Sequence, residues 1–120
     1  MKYLFICYPR CGTCQKAKKW LDDNNIVYEY RHIVEQNPTS EELKKWVLQS
    51  GLPIKKFFNT SGKIYREMKL KDKIPQMTDE ELIGLLSTNG MLVKRPLLVG
   101  DNKVLVGFKA DVWESINENS

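Results

Sequence analysis

The feature that most constrains this chain is its opening run, residues 3–33, in which YLFIC, CGTCQKAKKWLDDN and IVYEYRHI follow one another almost without spacers. Residues 3–7 are continuously apolar and β-prone, the pattern of a strand covered on both faces and therefore central in a sheet. Pro9 and Gly12 break the run. From Thr13 to Asn24, Cys14, Ala17, Trp20 and Leu21 recur at helical spacing, and Asn24-Asn25 ends the pattern. Residues 26–33 alternate as a second strand. A strand, a helix and a strand in so short a span form a βαβ unit, so the two strands should run parallel.

The remaining 87 positions, 34–120, divide into a helical middle and a β-rich end. Thr39 and Glu42 have capping-box spacing ahead of Leu43, Trp46 and Val47, with Gly51 as the stop. Between 54 and 75 the apolar residues come in short pairs, which predicts one short helix at Ile54–Phe58 and another at Lys63–Met68. Thr78 and Glu81 repeat the capping-box spacing before a helix carrying Leu82, Ile83, Leu85 and Leu86 and ending near 87–90. Leu97–Val99 and Val104–Val106 flank GDNK as a hairpin, with Pro96 at its entry. A closing helix at Lys109–Ile116 would face Val112, Trp113 and Ile116 inward, and the tail 117–120 should fray. The order β-α-β, helices, β-β-α fits a single domain of 120 residues with a four-stranded mixed sheet and a helical insertion.

Composition narrows the function. The chain is 42% hydrophobic and 28% charged with a net charge of +4, the profile of a globular protein. Its lysines are interleaved with acids rather than gathered into a stripe, which argues against direct nucleic-acid binding. The N-terminal apolar run has no cleavage-site pattern, and no stretch has transmembrane length. We therefore expect a cytoplasmic protein, in which a close cysteine pair is catalytic or metal-binding rather than structural. The sequon-like Asn59-Thr60-Ser61 is then without consequence.

Cys11 and Cys14 lie where the first strand turns into the first helix. Free N–H groups and partial positive charge at a helix start stabilise a thiolate. Arg10 is adjacent and Lys16 and Lys18 are near, so Cys11 should have a depressed pKa. Cys14, one turn deeper, is placed to resolve. A disulfide between them closes a very small loop and gains little entropic stabilisation, so it should form and break readily. Zinc is the weaker alternative, because a structural site needs four ligands and only Cys7 and His32 remain. Cys7, inside the apolar strand, reads as inert packing, and His32 as a core-edge residue. Arg95 could hold an anion or a glutathione carboxylate if the hairpin lies beside the cysteine loop, or it could be a surface arginine. Asn59–Gly62 reads as a turn. The Trp, Leu and Val stripes read as core.

The motifs YPRCGTCQKAKKWL, KKFFNTSG, NGMLVKRP and VGFK resemble those of small bacterial members of the arsenate reductase ArsC/Spx family, over nearly the whole chain from Tyr3 to about Trp113. The resemblance implies a thioredoxin-like fold, with a core at 1–35 and 92–118 and a helical insertion at 36–91. It makes Cys11 the reactive cysteine, Cys14 the second cysteine of Spx-like members, and Arg95 the arginine preceding a cis-proline at Pro96. Arg10, Gly12, Thr13 and Pro96 would line the substrate site. Glutaredoxin-dependent arsenate reductases carry further arginines near the positions of Asn59 and Gly107, and neither position is basic here. The resemblance thus favours thiol–disulfide exchange, acting on a protein or glutathione disulfide, over arsenate reduction. No bound cofactor is implied; glutathione, thioredoxin or glutaredoxin would supply electrons. A redox-sensing regulator that binds the RNA polymerase α subunit is the alternative, placed second because Spx proteins extend further beyond the corresponding last helix. A monomer is expected.

Overall fold

A computed structural model of the chain describes residues 2–101 and 103–118. Its sheet has four strands in the order β2-β1-β3-β4, with β1 at Tyr3–Cys7, β2 at Tyr28–His32, β3 at Leu97–Val99 and β4 at Val104–Val106. β1 pairs parallel with β2 and antiparallel with β3, and β3 pairs antiparallel with β4. The mixed sheet with flanking helices is the thioredoxin-like α/β arrangement. β1 is central, as its unbroken apolar run implied, although Tyr3 and Leu4 keep partial exposure. β2 is shorter than the alternation suggested. Asn25 adopts a positive φ of 56°; Tyr28–His32 pair with β1, and the Tyr3 N–H bond to the Val27 carbonyl and the Ile33 N–H bond to the Cys7 carbonyl flank that pairing at either end.

Side-chain alternation on β1 and β3 divides the interior into two layers. Phe5, Cys7 and Leu98 face one, shared with Cys14, Ala17 and Leu21 of α1 (Gly12–Asp23) and Trp113 and Ile116 of α6 (Ala110–Glu118). Trp113 is the hub of this layer: it meets Phe5, Trp20 and Phe108 edge-on at 6.5, 5.8 and 4.9 Å between centroids. Its indole N–H donates to the Gly107 carbonyl at 3.1 Å. Ile6 and Leu97 face the other layer, with Ile33, Leu43, Trp46, Phe57, Phe58, Leu86 and Leu92.

The second layer is covered by the central helical segment. α2 (Ser40–Ser50) and α5 (Asp79–Thr88) both begin with complete capping boxes, Thr39 with Glu42 and Thr78 with Glu81. α2 stops at Gly51, whose φ of 70° places it in the left-handed region. Arg31 of β2 grips Glu42 with two bonds of 2.7 and 2.9 Å and lies over the Trp46 ring. Gly90 packs so tightly on the end of β2 that a Cβ there would collide with the Ile33 carbonyl.

Several local expectations need revision. Ile54–Phe57 is a 3-10 turn, and Phe58 is extended, bridging antiparallel to Val93. α3 occupies Lys63–Glu67. A further helix, α4 at Leu70–Lys73, and a 3-10 turn at Ile74–Gln76 were not foreseen; α4 is entered through a left-handed Lys69 and anchored by the buried Leu70. Val112 does not face inward. It is 46% exposed, because it lies one residue, about 100° of helix, from the inward Trp113. Of the tail expected to fray, 117–120, Asn117 and Glu118 instead continue the last helix, while Asn119 and Ser120 lie outside the described residues, as does Asn102. No helix among the described residues is long and apolar enough to cross a membrane.

Candidate functional site

Three segments meet at the C-terminal end of β1. The first is the turn Tyr8–Cys11, closed by the Cys11 N–H donating to the Tyr8 carbonyl at 2.9 Å. The second is the first turn of α1, for which Cys11 is the N-cap in extended conformation. The third is the 93–96 segment. Its position is fixed by the Phe58–Val93 bridge and two short backbone bonds, Asn59 N–H to the Leu92 carbonyl and Lys94 N–H to the Phe57 carbonyl, both 2.7 Å. The Arg95–Pro96 peptide bond is cis.

This arrangement brings Cys11, Cys14 and Arg95 together. Cys11 is partly exposed, whereas Cys14 is buried. Partial burial pushes the Cys11 thiol up, but hydrogen bonds from the Cys14 backbone N–H, the Cys14 thiol, Arg95 and the Thr13 backbone N–H outweigh it, and the net effect is a lowered pKa. The two N–H groups are the free donors of the helix start that the sequence pointed to. Cys14 moves the opposite way: its bond to the Cys7 thiol and its burial hold it in the protonated form. The pair thus consists of an accessible, acidic thiol and a buried, reluctant one.

Arg95 is no surface arginine. Its guanidinium lies 5.2 Å from the centroid of the Tyr8 ring, and its Nε and Nη1 are buried without a hydrogen-bond partner. Two buried, unpaired N–H groups beside a partly exposed sulfur can donate to an anionic or carbonyl oxygen. Arg10 and Thr13 are exposed at the rim and Gly12 opens α1 with no neighbour where a Cβ would be. Pro96 follows Arg95, and its carbonyl accepts from the Gly107 N–H at 2.8 Å.

Two residues of this region escaped sequence reasoning. Tyr8 supplies the platform for Arg95, and its backbone N–H donates to Cys14 Sγ at 3.4 Å. No periodicity marks it. Cys7 is buried as its strand position implied, but its surroundings are not purely hydrocarbon, since its thiol meets the Cys14 thiol and the Tyr30 hydroxyl. His32 sits at the core edge, with its ring on Tyr8 and its Nδ1 accepting from Val34 and Glu35 N–H groups. Among the described residues there is no group of three or more His, Cys, Asp or Glu side chains placed to hold a metal.

Asn59 and Gly107 are both committed to structure. Asn59 belongs to the pairing with Leu92, and its side chain accepts from Ser61. Gly107 has a φ of 75° and bonds Pro96 and Trp113 through its backbone. A separate cavity of about 420 Å³ is lined by Lys55, Lys56, Lys71 and Lys94 with Phe58 and Tyr65, and by no carboxylate.

With this geometry established, comparison with known proteins is informative. The profile of the ArsC family matches residues 7–116. The chain belongs to the ArsC family. It is 52% identical over 114 residues to the uncharacterized protein YusI of Bacillus subtilis, covering 95% of this chain and 97% of YusI. It is 33% identical to the regulatory protein MgsR of the same organism, over 87% of this chain and 81% of MgsR. Among solved structures, an ArsC-family-related protein from Bacteroides fragilis superimposes with a TM-score of 0.94 at 64% identity, covering 97% of this chain and 98% of that one. Fold and family are therefore those of the thiol-redox ArsC/Spx proteins.

Proposed function

We propose that this ArsC-family protein is a thiol–disulfide oxidoreductase in which Cys11 attacks and Cys14 resolves. The observation that carries the reading is the asymmetry of the pair: the partly exposed Cys11 has a lowered pKa and the buried Cys14, in contact with it, a raised one. The Cys11 thiolate attacks one sulfur of a protein–glutathione or other disulfide, and the displaced thiolate leaves with the electron pair. Cys14 then gives up its proton and attacks Cys11 Sγ, which releases the second thiol and leaves a Cys11–Cys14 disulfide. Glutathione, thioredoxin or glutaredoxin returns two electrons to the pair.

Arg95 binds an oxygen of the substrate through Nε and Nη1, the exposed rim of Arg10, Gly12 and Thr13 holds the rest, and the buried Pro96 backs Arg95. Arginine suits this role because its fork matches a carboxylate or peptide oxygen. Turnover of a glutathionylated peptide by the wild-type chain, Cys11→Ser and Cys14→Ser tests the reading. Wild type should turn over, Cys11→Ser should not, and Cys14→Ser should accumulate a mixed disulfide on Cys11. A Cys11 pKa near the free value of about 8.5, with no mixed disulfide trapped, overturns it.

The identity with MgsR, a regulatory protein, supports a second reading, in which the same pair is a regulatory switch; the partner that the resemblance to Spx implies for it is RNA polymerase. Capture of the polymerase α subunit by one redox state and not the other would support it, and capture by neither would end it. Arsenate reduction comes last, because Asn59 and Gly107 hold structural roles and offer no cation.

A further inference from the structure

Cys14 has two sulfur neighbours. It contacts Cys11 on the open side and Cys7 on the buried side. The contact with Cys7 has a structural cause: the Tyr8 N–H donates to Cys14 Sγ at 3.4 Å, which seats that sulfur against the backbone immediately after Cys7. Alternation on β1 turns Cys7 toward α1, into the same layer as Cys14. When Cys14 is held in the disulfide its thiol no longer donates to Cys7, but the Tyr30 hydroxyl still reaches the Cys7 sulfur and the Lys18 charge still acts on it, both of which favour the thiolate.

We propose that Cys7 is a third redox cysteine, which takes over the disulfide from Cys11–Cys14 and stores it as a buried Cys7–Cys14 bond. The oxidising equivalent comes from the exchange reaction proposed above, so the inference rests on that reading for its source of disulfide. Cys7, as thiolate, attacks Cys14 Sγ of the Cys11–Cys14 disulfide. The Cys7–Cys14 bond forms, the Cys11–Cys14 bond breaks, and the electron pair leaves on Cys11. The Cys7 proton moves to solvent or to Cys11. One disulfide and one thiol are present before and after, so no further oxidant enters.

The step exchanges an exposed disulfide for a buried one. Cys11 is partly exposed, whereas Cys7 and Cys14 are 3% and 2% exposed. A small thiol reaches the first disulfide more readily than the second, since exchange needs access to a sulfur. The leaving sulfur is also the one best suited to carry negative charge, because Cys11 has two backbone N–H groups and Arg95 around it. The relay would return Cys11 to its reactive form while the protein retains the oxidation.

The test uses the full chain carrying Cys11→Ala, oxidised with diamide and digested with trypsin. Cleavage after Lys2, Arg10 and Lys16 separates Cys7 and Cys14 into different peptides, 3–10 and 11–16. The expected result is loss of both thiols and a disulfide-linked pair of these peptides. The double variant Cys7→Ser with Cys11→Ala, folded by circular dichroism, should keep the Cys14 thiol. Retention of both thiols in Cys11→Ala, or linkage only between separate chains, overturns the proposal. In wild type, the cross-linked pair should grow with time after a pulse of oxidised glutathione, while a disulfide confined to 11–16 declines. Absence of that conversion overturns the relay even if the variant pairs. Because Cys11→Ala cannot attack a substrate, its result is independent of exchange activity. If it pairs while wild type fails to turn over glutathionylated peptide, the exchange reading fails and the Cys7–Cys14 pairing stands.

Discussion

The two layers on either side of the sheet share β1 and β3 yet differ in what they bury. The layer under α1 and α6 buries Cys7 and Cys14 with Trp113 and Phe5, and the third cysteine, Cys11, packs against it. The layer under α2 and α5 is hydrocarbon and aromatic throughout. One residue step along β1, from Ile6 to Cys7, changes the chemistry from inert packing to sulfur. The comparison suggests a division of roles. The hydrocarbon layer supplies stability and fixes the 93–96 segment, while the sulfur layer carries reactivity on a helix start whose donors are already in place.

The sharpest way to separate the two layers is to remove the attacking sulfur. Cys11→Ser should lower disulfide exchange by on the order of a thousandfold or more while leaving the denaturation midpoint in urea unchanged. Phe57→Ala does the reverse. Phe57 is fully buried in the hydrocarbon layer, so its truncation should cost about 3–5 kcal/mol, seen as a lower urea midpoint. The pH midpoint of Cys11 alkylation should not move. If it moves, the layers are coupled and the division of roles fails.

Arg95 spans the boundary, since its backbone is positioned from the hydrocarbon side and its charge acts on Cys11. Arg95→Met should raise the Cys11 alkylation midpoint and slow the reaction near neutral pH by roughly a few-fold, because the Cys14 and Thr13 donors remain in place. The sign follows from the lowered pKa: reactivity rises as pH passes through the Cys11 midpoint, and loss of the cation moves that rise to higher pH.

The smallest effect is expected at the Arg31–Glu42 clamp. The Arg31 guanidinium holds the Glu42 carboxyl below its ordinary range. A carboxylate depressed by folding contributes fully above the unfolded value of about 4.3 and loses that contribution as pH falls through the folded value. Urea titrations of wild type and Arg31→Met should therefore differ by about 1 kcal/mol near neutrality and converge in acid. A difference that persists in acid would mean that Arg31 acts through its stacking on Trp46 instead.

Most of the sheet was legible because its signals are local. An unbroken apolar run, two capping boxes and a hairpin turn each specify their own element. The backbone donors at Cys11 were legible for the same reason, since a helix start brings its donors with it, whereas the cation that lowers its pKa is the distant Arg95 and not the neighbouring Arg10, Lys16 or Lys18. What could not be read depends on contacts distant in sequence. Nothing near Phe58 reveals that it pairs with Val93, and nothing near Tyr8 reveals that it receives Arg95. α4 was missed because a single buried leucine among lysines has no period. For Cys7, strand position predicts burial and is silent about which sulfur lies across the layer.

The unpaired Arg95 nitrogens also bear on how the fold responds to its surroundings. A donor buried without an acceptor costs roughly 1–3 kcal/mol of folding free energy. An oxyanion that accepts from those N–H groups binds the native chain and not the unfolded one, so mass action must raise the melting temperature in its presence. Thermal stability thus becomes an assay for what the Arg95 site accepts, one that requires no turnover by the cysteines.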